Sequence, residues 1–343
     1  MRDQLRTVCR GHSLTEDEAQ SAFGSIMRGE QPPARIAGLA MAMAARGETV
    51  DEIVGMATTA RSLALPVPFE GDVLDVCGTG GDGHNTFNIS TATALVVAAC
   101  EVPVAKHGNR SVSSNCGSAD VLEELGVRID SEPREAAHCL REIGITFLFA
   151  PVFHPTFGRV SSIRRELGVP TVFNLLGPLC NPAGARYQTL GVPRPDLVRP
   201  MAEVLARLGV HRVMVFHAED GMDELSLGAP SRVVEIREGS CSEYRLSPTE
   251  LGLSPAHASR LAGGDRGLNA EIIRRVLAGD PGPARDVVLL NAAAGLRAAG
   301  RAEDWHEGTA LASRAIDSGA ASALLTRWIE VSREQPQPMR NTV

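Results

Sequence analysis

Apolar positions in the first sixty residues recur at helical spacing. Ile36, Leu39, Ala40 and Met43 share one face after Pro32-Pro33, where proline suits a helix start. Ser13-Leu14-Thr15-Glu16-Asp17-Glu18 reads as a capped start with acids in the first turn, and Thr49 as the cap of a helix running towards Leu63. Pro66 and Pro68 end this pattern. Short apolar runs at 73–77, 102–106 and 145–150 then predict strands, with helices expected at 92–100 and 119–125. A helix is expected at 158–167, followed by a Pro/Asn/Gly loop at 178–184. Two more strands are expected at 187–192 and 212–218 around a helix at 196–208, and a hairpin about Gly239 at 233–236 and 244–246. Residues 269–332 read as helical and alanine-rich, and the Gln/Pro tail from 335 as disordered. Alternation of strand and helix implies a largely parallel sheet with covered faces. The expected fold class is therefore α/β, a small helical domain followed by a larger α/β domain.

The chain has 343 residues, enough for about two domains. Its net charge of -7 offers no basic footprint for nucleic acid or an anionic membrane, so an anionic ligand must be held by local positive potential. The seven cysteines are scattered and form no C-x-x-C pair, which fits reduced thiols in the cytoplasm better than a disulfide framework or a zinc site. The N-terminus has an early acid and no apolar core, so no signal peptide is expected. The longest apolar stretch, residues 94–100, is too short to span a bilayer.

Four constellations carry candidate chemistry. The first strand runs into Gly78-Thr79-Gly80-Gly81-Asp82-Gly83, and Thr86-Phe87-Asn88-Ile89-Ser90-Thr91 then opens a helix. Glycines let a backbone approach a phosphate, and a helix start adds free N–H donors. Ser90 and Thr91 are positioned to cap that helix or to donate to phosphate; a tight strand-to-helix turn with an ordinary cap has the same composition. The segment is neither a Walker A loop nor a G-x-G-x-x-G fingerprint. Lys106-His107-Gly108-Asn109-Arg110-Ser111-Val112-Ser113-Ser114 also follows a strand and precedes a helix, so both loops are expected on one sheet edge. Asp220-Gly221-Met222-Asp223-Glu224 presents adjacent acids suited to Mg²⁺ shared with phosphates and water, although alone such a pair is commonly a solvated turn. His154-Pro155 precedes Arg159, Arg164 and Arg165, and arginine binds carboxylates bidentately. Spacing alone reads these arginines and histidines equally well as surface or packed residues.

These motifs, with Gly117-Ser118-Ala119-Asp120, Arg164-Arg165-Glu166-Leu167-Gly168, Asn174-Leu175-Leu176-Gly177-Pro178-Leu179 and Leu289-Leu290-Asn291-Ala292-Ala293, closely resemble anthranilate phosphoribosyltransferase over roughly residues 13–332. The resemblance implies transfer of a phosphoribosyl group from phosphoribosyl diphosphate to the amine of anthranilate, a step of tryptophan biosynthesis. It implies a helical domain of residues 1–68 with a contribution from about 153–184, an α/β domain of 69–335, a tail of 336–343, and a homodimer through the helical part. It assigns phosphoribosyl diphosphate to Gly78, Gly81, Asp82, Thr86, Asn88, Ile89, Ser90, Thr91, Lys106, His107, Gly108, Asn109, Arg110, Ser111, Val112, Ser113, Ser114 and Ser118. It assigns anthranilate to Gly78, Asn109, Arg164, His107, His154 and Gly177, and Mg²⁺, as two ions, to Ser90, Asp223 and Glu224. No residue is expected to act as general acid or base, because an aromatic amine is already unprotonated near neutral pH.

Two positions depart from the pattern. Gly158 stands where relatives carry a larger side chain beside the acceptor channel, and Leu268 stands before Asn269 where an acid is common, expected to be far from the site. Pyrimidine-nucleoside phosphorylases share the architecture but use a different lysine- and serine-bearing loop. A non-enzymatic nucleic-acid-binding relative would be expected to have a basic groove and degraded loops. A paralogue using another aromatic acceptor has no such distinguishing feature.

Overall fold

The computed structural model describes residues 1–111 and 115–334. The expected donor contacts at Val112, Ser113 and Ser114, and the expected tail, lie outside the described residues.

Four helices open the chain, α1 (Arg2–Cys9), α2 (Glu16–Met27), α3 (Pro33–Arg46) and α4 (Val50–Ser62). Thr15 and Thr49 cap α2 and α4 through capping boxes with Glu18 and Glu52. Glu52 does more than cap. It is fully buried, accepts the Leu14 N–H at 2.9 Å, and pairs with Arg46, so one carboxylate joins three segments of the bundle.

The rest of the chain alternates: β1 (Leu74–Gly78), α5 (Ile89–Ala98), β2 (Val104–Gly108), α6 (Ser118–Leu125), α7 (Pro133–Ile143) and β3 (Ile145–Phe149). Next come α8 (Ala150–Phe153), α9 (Gly158–Leu167), α10 (Val172–Leu176), β4 (Tyr187–Gly191), α11 (Val198–Arg207) and β5 (Arg212–Ala218). The hairpin β6 (Ser231–Arg237) and β7 (Ser240–Leu246) is followed by α12 (Arg266–Leu277), α13 (Pro283–Ala298), α14 (Trp305–Asp317) and α15 (Ala320–Val331). Helix α7 has no counterpart among the expected elements, although its ends are marked by Pro133, by Glu135 accepting the Glu132 N–H at 2.8 Å, and by Gly144 at φ 71°.

The strands form one seven-stranded sheet in the order β3-β2-β1-β4-β5-β6-β7. Strands β1 to β5 are parallel, and β6 and β7 are antiparallel additions at one edge. The chain leaves β1 for β2 and β3 on one side, then returns to β4 on the other. Loops after β1 and β4 therefore diverge, opening the crevice typical of such a switch point. One sheet face packs on α5 and α13 through Leu74, Val76, Leu95 and Leu290. On the other face, Leu190, Val213 and Val215 share a core with Phe23, Met43 and Ile53 of the helical bundle. The bundle thus lies against the sheet, and the segment from α8 to β4 runs between them. No helix among the described residues is long and apolar enough to cross a membrane.

Candidate active site

The carboxyl ends of β1, β2, β4 and β5 bring the glycine loop, the Lys106 loop and the acidic loop together, as the parallel arrangement requires. Gly78 ends β1, and a Cβ there would collide with Asp223 Oδ2; one on Gly191, which ends β4, would collide with the Asp223 carbonyl oxygen. Only glycines let the acidic loop lie this close to both strand ends. The Gly80 N–H donates to Asp223 Oδ2 at 2.6 Å, and the Asp223 N–H donates to Asp82 Oδ2 at 3.3 Å. His84, at the end of the glycine loop, approaches the Asp220 carbonyl at 3.0 Å, so its Nε2 carries the proton. The glycine loop therefore clasps the acidic loop.

Below this clasp is a chain of buried charges. Lys106 is 2% exposed; its Nζ donates to the Val76 carbonyl at 2.7 Å and to Ser90 Oγ at 3.1 Å. Ser90 also lies beside the Glu224 carboxylate and favours its charged form. Burial pushes Glu224 up to about 7 although Lys106 pulls it down. Burial, with Asp82 and Glu224 nearby, lifts Asp223 well above the usual carboxylate range. Asp82, Asp223 and Glu224 thus crowd together with Lys106 beside Glu224, an arrangement short of positive charge. Among the described residues, no three or more His, Cys, Asp or Glu side chains form a ready-made metal cage. Two buried carboxylates and a hydroxyl suit Mg²⁺, which completes its shell with phosphate oxygens and water.

Other expected donor residues are placed less directly. Helix α5 starts at Ile89 with Asn88 as N-cap, so neither Ser90 nor Thr91 is the cap. Ile89 is buried in the core with its N–H on Phe87, and the buried Thr91 hydroxyl has no partner among the described residues. Thr86 bridges to Ala262, and Gly81 lies exposed at φ 86°. Asn88 donates to the Cys116 carbonyl and accepts from Asn269, each at 3.1 Å. That last bond corrects one expectation: the segment at Leu268 and Asn269 reaches the donor loop. Arg110 is committed to Asp120 at 2.9 Å and Glu123 at 3.0 Å, and it lies over the Phe149 ring. The Ser111 N–H bonds Asp120, Ser118 Oγ bonds the Asn109 carbonyl, and a Cβ on Gly108 would collide with Ser118 Oγ.

Of the residues expected at the acceptor, His107, His154 and Gly177 do come together. His107 Nδ1 lies 3.1 Å from the Gly177 carbonyl and His154 Nε2 lies 2.9 Å from the Cys180 carbonyl, so those nitrogens carry the protons. The rings are 5.0 Å apart, and their other nitrogens are buried without partners among the described residues. Burial, then His154, drives His107 down to about 3, and burial lowers His154, so both rings are neutral. Asn109 and Arg164 make no hydrogen bond to this group among the described residues. Arg164 stands half-buried on α9, its affinity for its proton lowered by burial, with no hydrogen bond or ion pair among the described residues. Gly158 is exposed, with open space where a Cβ would stand.

Several residues at the site escaped sequence reading. Asp75, within β1, is fully buried; it accepts the His107 N–H at 3.2 Å, and burial pushes it up to about 6. Asn181 lies beside Asp75, favouring its charged form, and donates to the Ala105 carbonyl at 2.7 Å. An acid inside an apolar strand, as in Val73-Leu74-Asp75-Val76-Cys77, is a signal, because charged groups are seldom buried unpaired.

Comparison with known proteins agrees with this architecture. Residues 2–64 match the helical bundle domain and residues 70–322 the a/b domain of a glycosyl transferase family. Anthranilate phosphoribosyltransferase 2 of Streptomyces coelicolor is 62% identical over 320 residues, covering 93% of this chain and 96% of the relative. The crystal structure of anthranilate phosphoribosyltransferase from Thermus thermophilus superposes with a TM-score of 0.92 at 47% identity, covering 97% of this chain and 100% of that one. The Saccharomyces cerevisiae enzyme in complex with PRPP (phosphoribosyl diphosphate) and Mg gives 0.89 at 27% identity, covering 96% and 97%. The same yeast enzyme in complex with 4-fluoroanthranilate gives 0.86 at 26% identity, with the same coverage. With the helical bundle, the sheet order and the clasped acidic loop all in place, the chain belongs to the anthranilate phosphoribosyltransferase family.

Proposed function

We propose that this chain transfers the phosphoribosyl group of phosphoribosyl diphosphate to the amine of anthranilate. The products are N-(5-phosphoribosyl)anthranilate and diphosphate, in tryptophan biosynthesis. The observation that carries this reading is the buried Lys106–Ser90–Glu224 chain beside Asp223, at the same strand ends as the His107–His154 pair. Anionic donor and neutral amine each find a matching half. The relatives' shared name over nearly the whole chain supports both substrates.

In the reaction, the bond from the ribose anomeric carbon to the diphosphate oxygen breaks and a bond from that carbon to the amine nitrogen forms. The nitrogen then loses a proton. Mg²⁺, two ions held by Ser90, Asp223 and Glu224, would neutralise the charge developing on the leaving diphosphate. Lys106 supplies fixed positive charge, and the backbone N–H groups of the glycine loop and the start of α5 supply oriented donors. Arg164, unpaired and partly desolvated, holds the acceptor's carboxylate. His107 and His154, kept neutral by burial, put no further positive charge near the cation-like ribose carbon. Most of the rate then comes from orientation and electrostatics.

Residues 1–68 with 153–184 form the acceptor-bearing helical domain, and the chain works in the cytoplasm as a homodimer through that part. Of the five exposed large hydrophobic residues among those described, Met41, Leu63, Leu65 and Val169 belong to it, which supports the pairing surface. The activity is tested by incubating the protein with Mg²⁺, phosphoribosyl diphosphate and anthranilate while following anthranilate fluorescence. Loss of fluorescence with stoichiometric diphosphate is expected; turnover of another aromatic amine but not anthranilate would replace the substrate assignment.

A further inference from the structure

The segment from Gly177 to Cys180 carries the acceptor-lining Gly177 between α10 and β4. Its four consecutive carbonyls are each gripped by a side chain from a different element. Gly177 is bonded by His107 at the end of β2 (3.1 Å), and Pro178 by Gln188 Nε2 of β4 (2.6 Å). Leu179 is bonded by Arg61 Nε of α4 (2.6 Å), and Cys180 by His154 after α8 (2.9 Å). Arg61 also donates through Nη1 to the carbonyl of Leu208, the residue that ends α11, at 2.7 Å. Four carbonyls in a row normally serve a helix or strand ladder. Here the Gly177 carbonyl also accepts the Cys180 N–H at 3.3 Å in a single 3-10 turn, but those of Pro178, Leu179 and Cys180 serve side chains, so the backbone path depends on those donors.

We infer that Gln188 and Arg61 are positioning residues for the acceptor half of the site, acting through this segment on His107, His154 and Gly177. The inference rests on the transferase reading above and names how its acceptor side is assembled. The two histidines are bonded to the segment by one ring nitrogen each, and the other nitrogens are buried and unpartnered. The direction of those free lone pairs is therefore set by where the carbonyls of Gly177 and Cys180 stand. Those two carbonyls flank the pair held by Gln188 and Arg61. Gln188 is 1% exposed and Arg61 is largely withdrawn from water, so each is hard to replace with solvent. Arg61 belongs to the helical bundle and Gln188 to the sheet. The segment is thus held to both walls at once.

The test uses Gln188→Met, which keeps the volume and removes the donor, with Arg61→Met and Arg61→Lys. In steady-state assays with both substrates, kcat/KM for anthranilate should fall about tenfold or more in Gln188→Met and Arg61→Met, as expected for orphaning a buried carbonyl. KM for phosphoribosyl diphosphate should stay within about twofold. Arg61→Lys should recover part of the loss, because one donor and the charge return. Nitrogen-15 spectra of the histidine rings give a readout independent of the substrate. In the wild type, His107 should show Nδ1 protonated and His154 Nε2 protonated, and both Met variants should lose those fixed tautomers. Melting curves identify any variant that fails to fold, and Arg61→Lys and the spectra then decide. Absence of anthranilate turnover by the wild type would sink the transferase reading while leaving the ring spectra to judge this one. Unchanged ring spectra, or equal losses for both substrates in folded variants, would overturn it.

Discussion

The donor and acceptor halves of the site are built on opposite plans. The donor half crowds three carboxylates, Asp82, Asp223 and Glu224, with one lysine beside Glu224, and leaves them short of positive charge. The acceptor half holds neutral rings, with their protons fixed by backbone carbonyls, and the half-buried Arg164 guanidinium of α9, which has no hydrogen bond or ion pair among the described residues. On the proposed assignment, one half is complete only when cation and phosphate arrive, and the other is already arranged. The difference follows from the ligands. A diphosphate with Mg²⁺ can repay the desolvation of buried carboxylates, whereas a flat aromatic acid requires shape and orientation more than charge.

The largest effect that would break this contrast comes from the acidic loop. Asp223→Asn with Glu224→Gln should lower kcat/KM for phosphoribosyl diphosphate by about 10³-fold or more and remove the Mg²⁺ dependence. A comparable loss confined to anthranilate would mean that the halves are assigned the wrong way round. Next in size, Arg164→Ala should raise KM for anthranilate by about 10- to 100-fold, the scale of one bidentate charge-assisted contact. With aniline, which lacks the carboxylate, wild type and variant should be alike.

Stability against pH sharpens the contrast further. Glu224 and Asp75 have folded values of about 7 and 6, above their ordinary 4.5 and 3.8, so their contribution is complete at low pH and is lost as pH rises through those values. His107 goes the other way. Its folded value of about 3 lies below the ordinary 6.5, so its contribution is present above 6.5 and lost as pH falls towards 3. Glu224→Gln should therefore stabilise the ligand-free protein by about 1–3 kcal/mol at pH 8, shrinking to near zero at about pH 4, as read by urea unfolding. The smallest effect concerns Arg110. Its partner Glu123 is 44% exposed, so Glu123→Gln should change stability by less than about 1 kcal/mol. Freed from that partner, Arg110 should lower the Michaelis constant of phosphoribosyl diphosphate by no more than about threefold.

The two halves also differ in how legible they were in the sequence. The donor half lies in contiguous strings, Gly78 to Gly83 and Lys106 to Ser111, that follow strands, and parallel topology then places them on one edge. The acceptor half is made of single residues far apart in the chain, Arg61, His107, His154 and Gln188, each of which bonds a carbonyl of residues 177–180. Sequence reads that segment as a Pro/Asn/Gly loop, because carbonyl partners leave no compositional trace. Gln188 inside Tyr187-Gln188-Thr189-Leu190-Gly191 is a polar residue in a buried strand, which signals a partner without saying which. Arg110 shows the converse. Its motif points to the donor, but Asp120 and Glu123 lie ten and thirteen residues on, and only the turn into α6 brings them alongside.

The central claim is that donor binding depends on a cation at Asp223 and Glu224 while acceptor binding does not. The direct measurement is equilibrium binding of each substrate alone, with and without Mg²⁺, to the wild type and to the Asp223→Asn, Glu224→Gln variant. Phosphoribosyl diphosphate should bind the wild type tightly only with Mg²⁺ and lose that binding in the variant, while anthranilate binds equally in all four conditions. Donor affinity that survives both removal of Mg²⁺ and loss of the two carboxylates would contradict the account.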